Sequence, residues 1–268
     1  MLITEGTTVA VLDGKAAIIT GAGSGFGAAT ARRFAAEGAR VVAADINEDN
    51  AKAIAAELGG HAVATRVDVR DSDSVAAMVA TAEQHFGGLD ILVNNAGLTH
   101  KTGPIGELTE EQFALVMDVN VKGVWLGIKH ALPLLRRHGG VILNVGSVGA
   151  ITPRPNAGVY YASKAAVVNM TKALSIELAP SIRVNCVCPS LAPTNFMTGA
   201  SGSAEAARAR IEAGLPVNGI PLGRVCDPGD VAAVLTFLAG PDAAYLTGAI
   251  LPVDGGMSAG LTPPGPPK

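Results

Sequence analysis

The hydrophobic residues of this 268-residue chain form short apolar runs that alternate with longer stretches of helical spacing. Most runs are continuously apolar and rich in Val and Ile, which is typical of strands buried on both faces of a parallel sheet. Their regular alternation with helices predicts a doubly wound α/β fold. The predicted strands are 15–20, 40–45, 62–69, 89–94, 140–145, 182–189 and 249–254, and the predicted helices are 25–37, 48–58, 72–86, 110–137, 158–179 and 228–239.

The pattern predicts one domain over residues 1–260, because no internal repeat or linker divides it. The segment 190–228 breaks the rhythm between the last two strands and is rich in Gly, Ser and Ala. A stretch of that length inside a compact domain is a functional lid or a disordered insert, and we expect a substrate lid. The Pro-rich tail at 261–268 is expected to be extended or disordered.

Composition narrows the class of function. A formal net charge of −3 gives no basic footprint for nucleic acid. The chain has no uninterrupted apolar run of 18 residues, so no membrane span is expected. The first residues contain Glu5 and Asp13 and lack the basic flank of a signal peptide. We therefore expect a soluble, cytoplasmic protein.

The three cysteines do not have the spacing of a metal site or a redox motif. They are Cys186, Cys188 and Cys226, an odd number without a C-x-x-C pair, so neither a metal nor a disulfide is expected. Cys186 and Cys188 are two apart on a predicted strand. Their side chains should therefore lie on one face and pack as small hydrophobic groups.

A glycine-rich turn, TGAGSGFG at 20–27, follows the first predicted strand and opens the first helix. Its glycines allow a tight turn and a close approach of the backbone to a pyrophosphate. The phosphates would then bind the N–H groups of the helix N-terminus. Such a turn alone is weak support, but its place on the first strand of an alternating pattern predicts a dinucleotide site.

Asp45 ends the second predicted strand, eighteen positions after Gly27. A carboxylate there accepts hydrogen bonds from both ribose hydroxyls and repels a 2′-phosphate. The positions from which a cation could bind that phosphate are Ser24 and Ile46, and neither is basic, so NAD(H) is predicted over NADP(H). The alternative is that Asp45 caps the next helix.

Asp68, at the end of the third predicted strand, has two interpretations that the sequence leaves open. Its carboxylate is placed to accept a hydrogen bond from an adenine amino group. It also stands where the next helix begins, beside Asp71 and Asp73, and fits a helix-cap region equally well.

Two adjacent tyrosines, Tyr160 and Tyr161, precede Lys164 within a predicted helix. Residues three and four apart are neighbours on a helix, so either phenol can lie beside the ammonium group. A nearby positive charge favours the phenolate and lowers the tyrosine pKa, which suits general acid–base chemistry near neutral pH. The spacing predicts this chemistry without choosing between the two rings.

The motifs together resemble the short-chain dehydrogenase/reductase family over about residues 12–257. In chain order they are the glycine-rich turn, NNAG at 94–97, NVGS ending at Ser147, and Y-x-x-x-K. The family spacing selects Tyr160 with Lys164, and it places the usual serine thirteen residues earlier, at Ser147. The resemblance implies a Rossmann-type doubly wound seven-stranded parallel sheet with helices on both faces.

The resemblance also implies hydride transfer between NAD(H) and an alcohol or ketone, with specific roles for four residues. Tyr160 exchanges a proton with the substrate oxygen and Ser147 holds that oxygen. Lys164 holds the nicotinamide ribose hydroxyls and, together with the positive nicotinamide, lowers the tyrosine pKa. Asn120 matches the asparagine that anchors a water on the proton path. The implied cofactor contacts are Gly21, Ser24, Gly25, Phe26, Gly27, Asp45, Ile46, Asp68, Val69, Asn94, Ala96, Tyr160, Lys164, Pro189 and Thr194, with Asn94 expected mainly to tie neighbouring strands.

The expected substrate is a neutral secondary alcohol or ketone, because no arginine cluster flanks these motifs. His100 is expected as a solvated loop residue, with recognition of a polar substrate group as the alternative. One departure from the family is Pro189-Ser190, where Pro-Gly is usual. The expected substrate contacts are His100, Ser147, Ala150, Tyr160, Leu191 and Phe196.

Two rival functions remain besides an NAD-dependent alcohol dehydrogenase. A 3-oxoacyl-carrier-protein reductase would prefer NADPH and need a basic docking patch, for which Arg136, Arg137 and His138 are candidates, although these cations also suit a helix C-terminus. A non-catalytic dinucleotide sensor would have lost part of the catalytic set.

The helical patterns 110–137 and 158–179 are apolar on more than one face, and the resemblance implies a homotetramer built on them.

Overall fold

The apolar runs form one parallel sheet in the computed structural model, which describes residues 10–100, 103–192 and 220–260. The strand order is β3-β2-β1-β4-β5-β6-β7. This confirms the doubly wound seven-stranded sheet. The strands are β1 (Ala16–Thr20), β2 (Arg40–Asp45), β3 (Ala62–Arg66), β4 (Ile91–Asn94), β5 (Gly140–Val145), β6 (Ile182–Pro189) and β7 (Ile250–Val253).

The helices of the described residues lie between these strands and cover both faces of the sheet. Two short segments of 3-10 helix, Ile105–Glu107 and Val148–Ala150, lie in the loops after β4 and β5. The helices are α1 (Gly25–Ala36), α2 (Glu48–Leu58), α3 (Ser72–Phe86), α4 (Glu110–Met117), α5 (Gly123–Leu135), α6 (Gly158–Glu177) and α7 (Pro228–Ala239).

Successive strand residues point to opposite faces, so the sheet supports two apolar layers. Ile19 packs with Phe34 of α1 and Leu235 of α7 on one face. Its neighbour Ile18 packs with Met78 of α3, and with α5 and α6, on the other face. All five side chains are fully buried, which explains why the strands read as continuous apolar runs.

Two predicted elements differ from those observed. The third strand ends at Arg66, so Asp68 lies in the turn beyond the strand. The long helical pattern 110–137 is interrupted by a turn of π-helix at Asp118–Lys122 and ends at Leu135. Single π turns often occur at functional sites, and this one contains Asn120.

The carboxyl ends of the strands meet at one edge of the sheet, where the connections from β1 and β4 diverge to opposite faces. Ligands of doubly wound sheets bind in the crevice at that point. Most of the predicted lid 190–228, with Thr194 and Phe196, and the tail 261–268 lie outside the described residues.

Neither a membrane span nor a cluster of metal ligands occurs within the described ranges. No helix there is long and apolar enough to cross a membrane. In the same residues, no three His, Cys, Asp or Glu side chains are grouped so that they could hold a metal ion.

Candidate active site

The glycine-rich turn between β1 and α1 is closed so tightly that side chains would not fit. Gly21 has φ of +66°, in the left-handed region that favours glycine. A Cβ at Gly27 would overlap the carbonyl oxygen of Gly21. Ser24 precedes α1 and makes no side-chain cap to its first N–H groups. The N-terminus of α1 thus presents backbone N–H groups that no side chain of the turn covers. This arrangement fits the pyrophosphate of a dinucleotide.

Asn95 fastens this turn to the end of β4, a role that sequence reasoning missed. Its Nδ2 donates to the Thr20 carbonyl oxygen at 2.8 Å and to that of Gly21 at 3.2 Å. Asn94 instead donates from Nδ2 to Asn144 Oδ1 at 2.9 Å inside the sheet, which confirms that it ties neighbouring strands. The only sequence signal for Asn95 was its place in the NNAG motif.

Asp45 lies at the carboxyl end of β2 and contacts the glycine-rich turn. Its Oδ2 accepts a hydrogen bond from the Gly23 N–H at 2.9 Å, and its Oδ1 accepts one from the Asn47 N–H at 2.9 Å. Asn47 is the residue that caps α2, by accepting from the Asn50 N–H, so the helix-cap alternative for Asp45 is wrong. Ile46 is 57% exposed beside it. The carboxylate remains partly exposed and retains lone pairs for ribose hydroxyls.

Asp68 stands in the turn after β3 and pairs with a cation. The Arg70 guanidinium lies 2.6 Å from its Oδ2 and lowers the pKa of the Asp68 carboxyl. Asp71 is the residue that caps α3, by accepting from the Ser74 N–H at 2.7 Å. Asp68 therefore lies in the cap region of α3 without being the N-cap itself, and its own N–H donates to Ser74 Oγ at 3.0 Å. Val69 follows it and packs where a Cβ of Gly123 would lie.

Asn120 is fully buried and joins three segments of the site. Its Oδ1 accepts from the Leu98 N–H, and its Nδ2 donates to the Leu98 carbonyl oxygen and to Ser163 Oγ, each at 2.9 Å. Ser163 in turn donates to the Tyr160 carbonyl oxygen at 2.6 Å. The π turn places this side chain between the loop after β4 and the start of α6.

Ser147 and Tyr160 meet at the carboxyl end of β5. Ser147 Oγ accepts a hydrogen bond from the Gly149 N–H at 3.1 Å, and the Tyr160 side chain is hydrogen-bonded to Ser147. The structure therefore brings together the pair that the family spacing selected. Tyr161 has a different environment, because its ring lies where a Cβ of Gly149 would be. The Tyr161 ring therefore packs against the backbone of Gly149.

Lys164 reaches the same place from the next turn of α6. Its Nζ donates to the Val145 carbonyl oxygen at 2.8 Å, and burial lowers its pKa to about 8. A Cβ at Gly97 would lie 3.2 Å from this Nζ and 3.2 Å from Asn120 Oδ1. The missing side chain at Gly97 leaves the room that a ribose needs beside the lysine.

The expected lowering of the tyrosine pKa is wrong for the groups that the protein itself supplies. Burial of the phenol raises the pKa of Tyr160 to about 12, and the hydrogen bond from Ser147 lowers it only in part. Desolvation therefore exceeds the local electrostatic stabilisation of the phenolate.

The expected substrate residues have mixed outcomes. His100 is 9% exposed, so its assignment as a solvated loop residue is wrong. It lines a cavity of about 520 Å³ together with Arg154, a cation that sequence reasoning overlooked, and Gly158 at the start of α6. Ala150 lies at the end of the 3-10 helix after Ser147, and Leu191 follows β6, which ends at Pro189.

Comparison with known proteins gives a consistent result. The family described as enoyl-(acyl carrier protein) reductase matches residues 21–258. Meso-2,3-butanediol dehydrogenase of Serratia marcescens is 40% identical over 92% of this chain and 96% of its own length. Cis-4-hydroxycyclohexanecarboxylate dehydrogenase of Sinomonas cyclohexanicum is also 40% identical, over 91% of this chain and 97% of its own.

A solved structure agrees with these sequence relatives. It is a 3-ketoacyl-(acyl-carrier-protein) reductase from Brucella melitensis complexed with NADH, and it is 42% identical with a TM-score of 0.84. The similarity covers 92% of this chain and 99% of that one. Shared sequence over almost the full length, the shared sheet and the Ser147–Tyr160–Lys164 cluster lead to one conclusion. The chain belongs to the short-chain dehydrogenase/reductase family of oxidoreductases.

Proposed function

We propose that this oxidoreductase transfers hydride between NAD(H) and a neutral secondary alcohol or the matching ketone. The observation that carries the cofactor choice is the contact of Asp45 with the Gly23 N–H. It holds a carboxylate at the rim of the turn that fits a pyrophosphate, where a 2′-phosphate would be repelled. The Brucella relative complexed with NADH supports the same choice.

In the proposed reaction the protein moves one proton and orients two partners. A bound nicotinamide supplies or accepts the hydride. Ser147 donates a hydrogen bond to the substrate oxygen, and Tyr160 takes the hydroxyl proton in oxidation or returns it in reduction. Lys164, as ammonium, holds the ribose and favours the Tyr160 phenolate. Asn120 holds the loop after β4 against α6, where it can anchor a water on the path of the proton.

A secondary alcohol is supported by the names of two relatives, which specify a butanediol and a hydroxycyclohexanecarboxylate. Of these two substrates only the butanediol is neutral, so the neutral class is supported by the first relative alone. The test is a set of initial rates with NAD⁺ and with NADP⁺ over secondary alcohols, diols and 4-hydroxycyclohexanecarboxylate. We expect turnover of a neutral alcohol with NAD⁺ at least tenfold faster than with NADP⁺. Equal rates with NAD⁺ and NADP⁺ would contradict the assignment of NAD(H) as the cofactor. Turnover of 4-hydroxycyclohexanecarboxylate alone would contradict the proposal that the substrate is neutral.

A second candidate is reduction of 3-oxoacyl groups on a carrier protein, because the Brucella neighbour is named for that activity. This activity requires a basic surface patch that binds the acidic carrier protein. The positive charge of the candidate patch is reduced, because Arg137 pairs with Glu83 at 2.8 Å. Reduction of an acetoacetyl thioester with NADPH, faster than any ketone with NADH, would favour this candidate. Tight NADH binding without turnover of any substrate would instead favour the sensor.

A further inference from the structure

Ser190 follows the last residue of β6, at the edge of the sheet where ligands of doubly wound folds bind. Its N–H donates to the Val253 carbonyl oxygen at 3.1 Å, just as the Cys186 N–H donates to that of Ala249 at 2.9 Å. The two bonds join β6 to β7 at the same offset, so the strand geometry continues to Ser190 without a shift. The direction of the Ser190 side chain therefore follows from the alternation along β6.

The Ser190 side chain lies on the face of the sheet that packs against α6. Side chains two apart on a strand share a face, so Ser190 follows Cys188. The Cys188 sulfur lies 2.9 Å from the place of a Cβ at Gly146, just after β5. Two residues before that glycine, Asn144 donates from Nδ2 to Thr171 Oγ1 of α6 at 2.9 Å. The hydroxyl of Ser190 is thus on the face whose helix carries the tyrosine and the lysine of the site.

Ser190 also lies beyond Ser147 along the same edge of the sheet. Val145 of β5 pairs with Val187 of β6, so Ser190 is one residue further out than the level of Ser147. The Lys164 ammonium bonds to the Val145 carbonyl oxygen, and the rise of a strand puts Ser190 about 10 Å beyond that level. A nicotinamide riboside held by Lys164 through its ribose would extend along this edge toward Ser190.

The Ser190 hydroxyl is buried, and among the described residues no group forms a hydrogen bond with it. The chain on both sides is held in place, since the Ser190 N–H is bonded to β7 and the Leu191 carbonyl oxygen accepts from the Cys226 N–H at 3.0 Å. Burying a hydroxyl without a partner destabilises a folded protein, and nearly all buried polar groups of native proteins have one. A hydroxyl in this state at the wall of a ligand crevice therefore fits a ligand that supplies the partner.

We propose that the Ser190 hydroxyl binds the carboxamide of the nicotinamide ring and orients the ring beside Ser147. A carboxamide has a carbonyl acceptor and an amino donor, and a hydroxyl can donate and accept, so the two groups are complementary. The inference rests on the proposed function, because it takes NAD(H) as the ligand. It gives a cofactor contact to a position where the resemblance to the family predicted glycine, which has no side chain.

The experiment compares Ser190→Ala with the wild-type protein and with the matched variant Ser175→Ala. Ser175 is also a buried serine, but its hydroxyl donates to the Lys172 carbonyl oxygen at 2.7 Å within α6. Calorimetric titration measures the Kd of each protein for NADH and for ADP-ribose, which lacks the nicotinamide ring. Urea unfolding of each protein without ligand measures its stability, and the alcohol KM is measured for the best substrate.

For Ser190→Ala we expect the Kd for NADH to rise roughly fivefold, because one hydrogen bond is lost, and the Kd for ADP-ribose to stay within about twofold. Without ligand, the same variant should unfold at a higher urea concentration than the wild-type protein, since it no longer buries an unpaired hydroxyl. Ser175→Ala should leave both Kd values unchanged and unfold at a lower urea concentration, because it loses a bond made within the chain. A purely structural role of Ser190 would not combine weaker NADH binding with greater stability.

Three results would overturn the proposal: an unchanged Kd for NADH in Ser190→Ala, an equal rise in the Kd for NADH and for ADP-ribose, or a lower urea midpoint of that variant without ligand. An unchanged Kd for NADH with a raised alcohol KM would assign the hydroxyl to the substrate instead. Failure of the proposed function gives a different result, in which the wild-type protein binds NADH and turns over no alcohol or ketone. The comparison of NADH with ADP-ribose would then still test the role of Ser190.

Discussion

Lys164 donates a 2.8 Å hydrogen bond from Nζ to the carbonyl oxygen of Val145, two residues before Ser147. The lysine on α6 is thus joined to the strand whose end carries Ser147, the serine proposed to hold the substrate oxygen. The same buried position that orients the ammonium group also disfavours its charge, and this conflict lowers its pKa to about 8.

The first prediction follows from that pKa. Between pH 8 and the usual lysine pKa of 10.5, the unfolded chain binds more protons at this lysine than the folded chain, so the free energy of unfolding rises with pH. Relative to Lys164→Met, the wild-type protein should gain roughly 3 kcal/mol between pH 7.5 and 10.5. Urea unfolding of both proteins across that range measures the difference. A difference that stays constant with pH would contradict the burial of a titrating ammonium.

The second prediction concerns the cofactor. Asp45→Ala combined with Ile46→Arg removes the carboxylate beside Gly23 and places a cation at a position that is already exposed. We expect the ratio of kcat/KM for NAD⁺ to that for NADP⁺ to fall at least 100-fold, because a charge repulsion becomes an attraction. Ile46→Arg alone is the control and should shift the ratio less. An unchanged ratio in the double variant would show that the acid does not select the cofactor.

The third prediction tests the bare backbone of the glycine-rich turn. The Gly27→Ala substitution would stabilise α1 by about 1 kcal/mol through its higher helix propensity. However, the added methyl group would overlap the Gly21 carbonyl oxygen. We expect the overlap to dominate and the Kd for NADH to rise more than tenfold. Gly106→Ala is the matched control, since nothing lies within 4 Å of its added Cβ. Unchanged NADH affinity in Gly27→Ala would contradict the proposal that this turn binds the pyrophosphate.

The fourth prediction concerns assembly, which we propose to be a homotetramer built on α4, α5 and α6. Phe113 on α4 and Trp125 on α5 are 50% and 48% exposed, although both are large and apolar. Light scattering after size exclusion should give about four times the 26.9 kDa of one chain. Phe113→Arg and Trp125→Arg should each lower that mass. A monomeric wild-type protein would contradict the assembly.

Much of this site was predictable because its signals are local in sequence. The place of Asp45 after an apolar run, and a tyrosine beside Lys164, follow from strand and helix periodicity. The choice of Tyr160 over Tyr161, and of Ser147, came from the resemblance to the family. The π turn around Asn120 was not predictable in this way, since it is accompanied by bonds to Leu98 and Ser163 from other segments.

The remaining errors have the same physical origin. His100 looked like a polar loop residue, and only the packing of the loop after β4 makes it buried. The contact of Cys186 and Cys188 with Gly146 crosses between neighbouring strands, so no spacing along the chain indicates it. The pKa of Tyr160 was expected to fall, because sequence shows the nearby lysine and does not show the desolvation that dominates.

The central claim is that Tyr160, and not its neighbour, exchanges the proton with the substrate. Tyr160→Phe removes the hydroxyl that is hydrogen-bonded to Ser147, whereas Tyr161→Phe keeps the ring that packs on Gly149. The most direct measurement is kcat for the best alcohol in both variants, together with NADH affinity by fluorescence. The account predicts a loss of at least 1000-fold in kcat for Tyr160→Phe with NADH binding retained, and less than fivefold for Tyr161→Phe. Comparable kcat values in the two variants would contradict it.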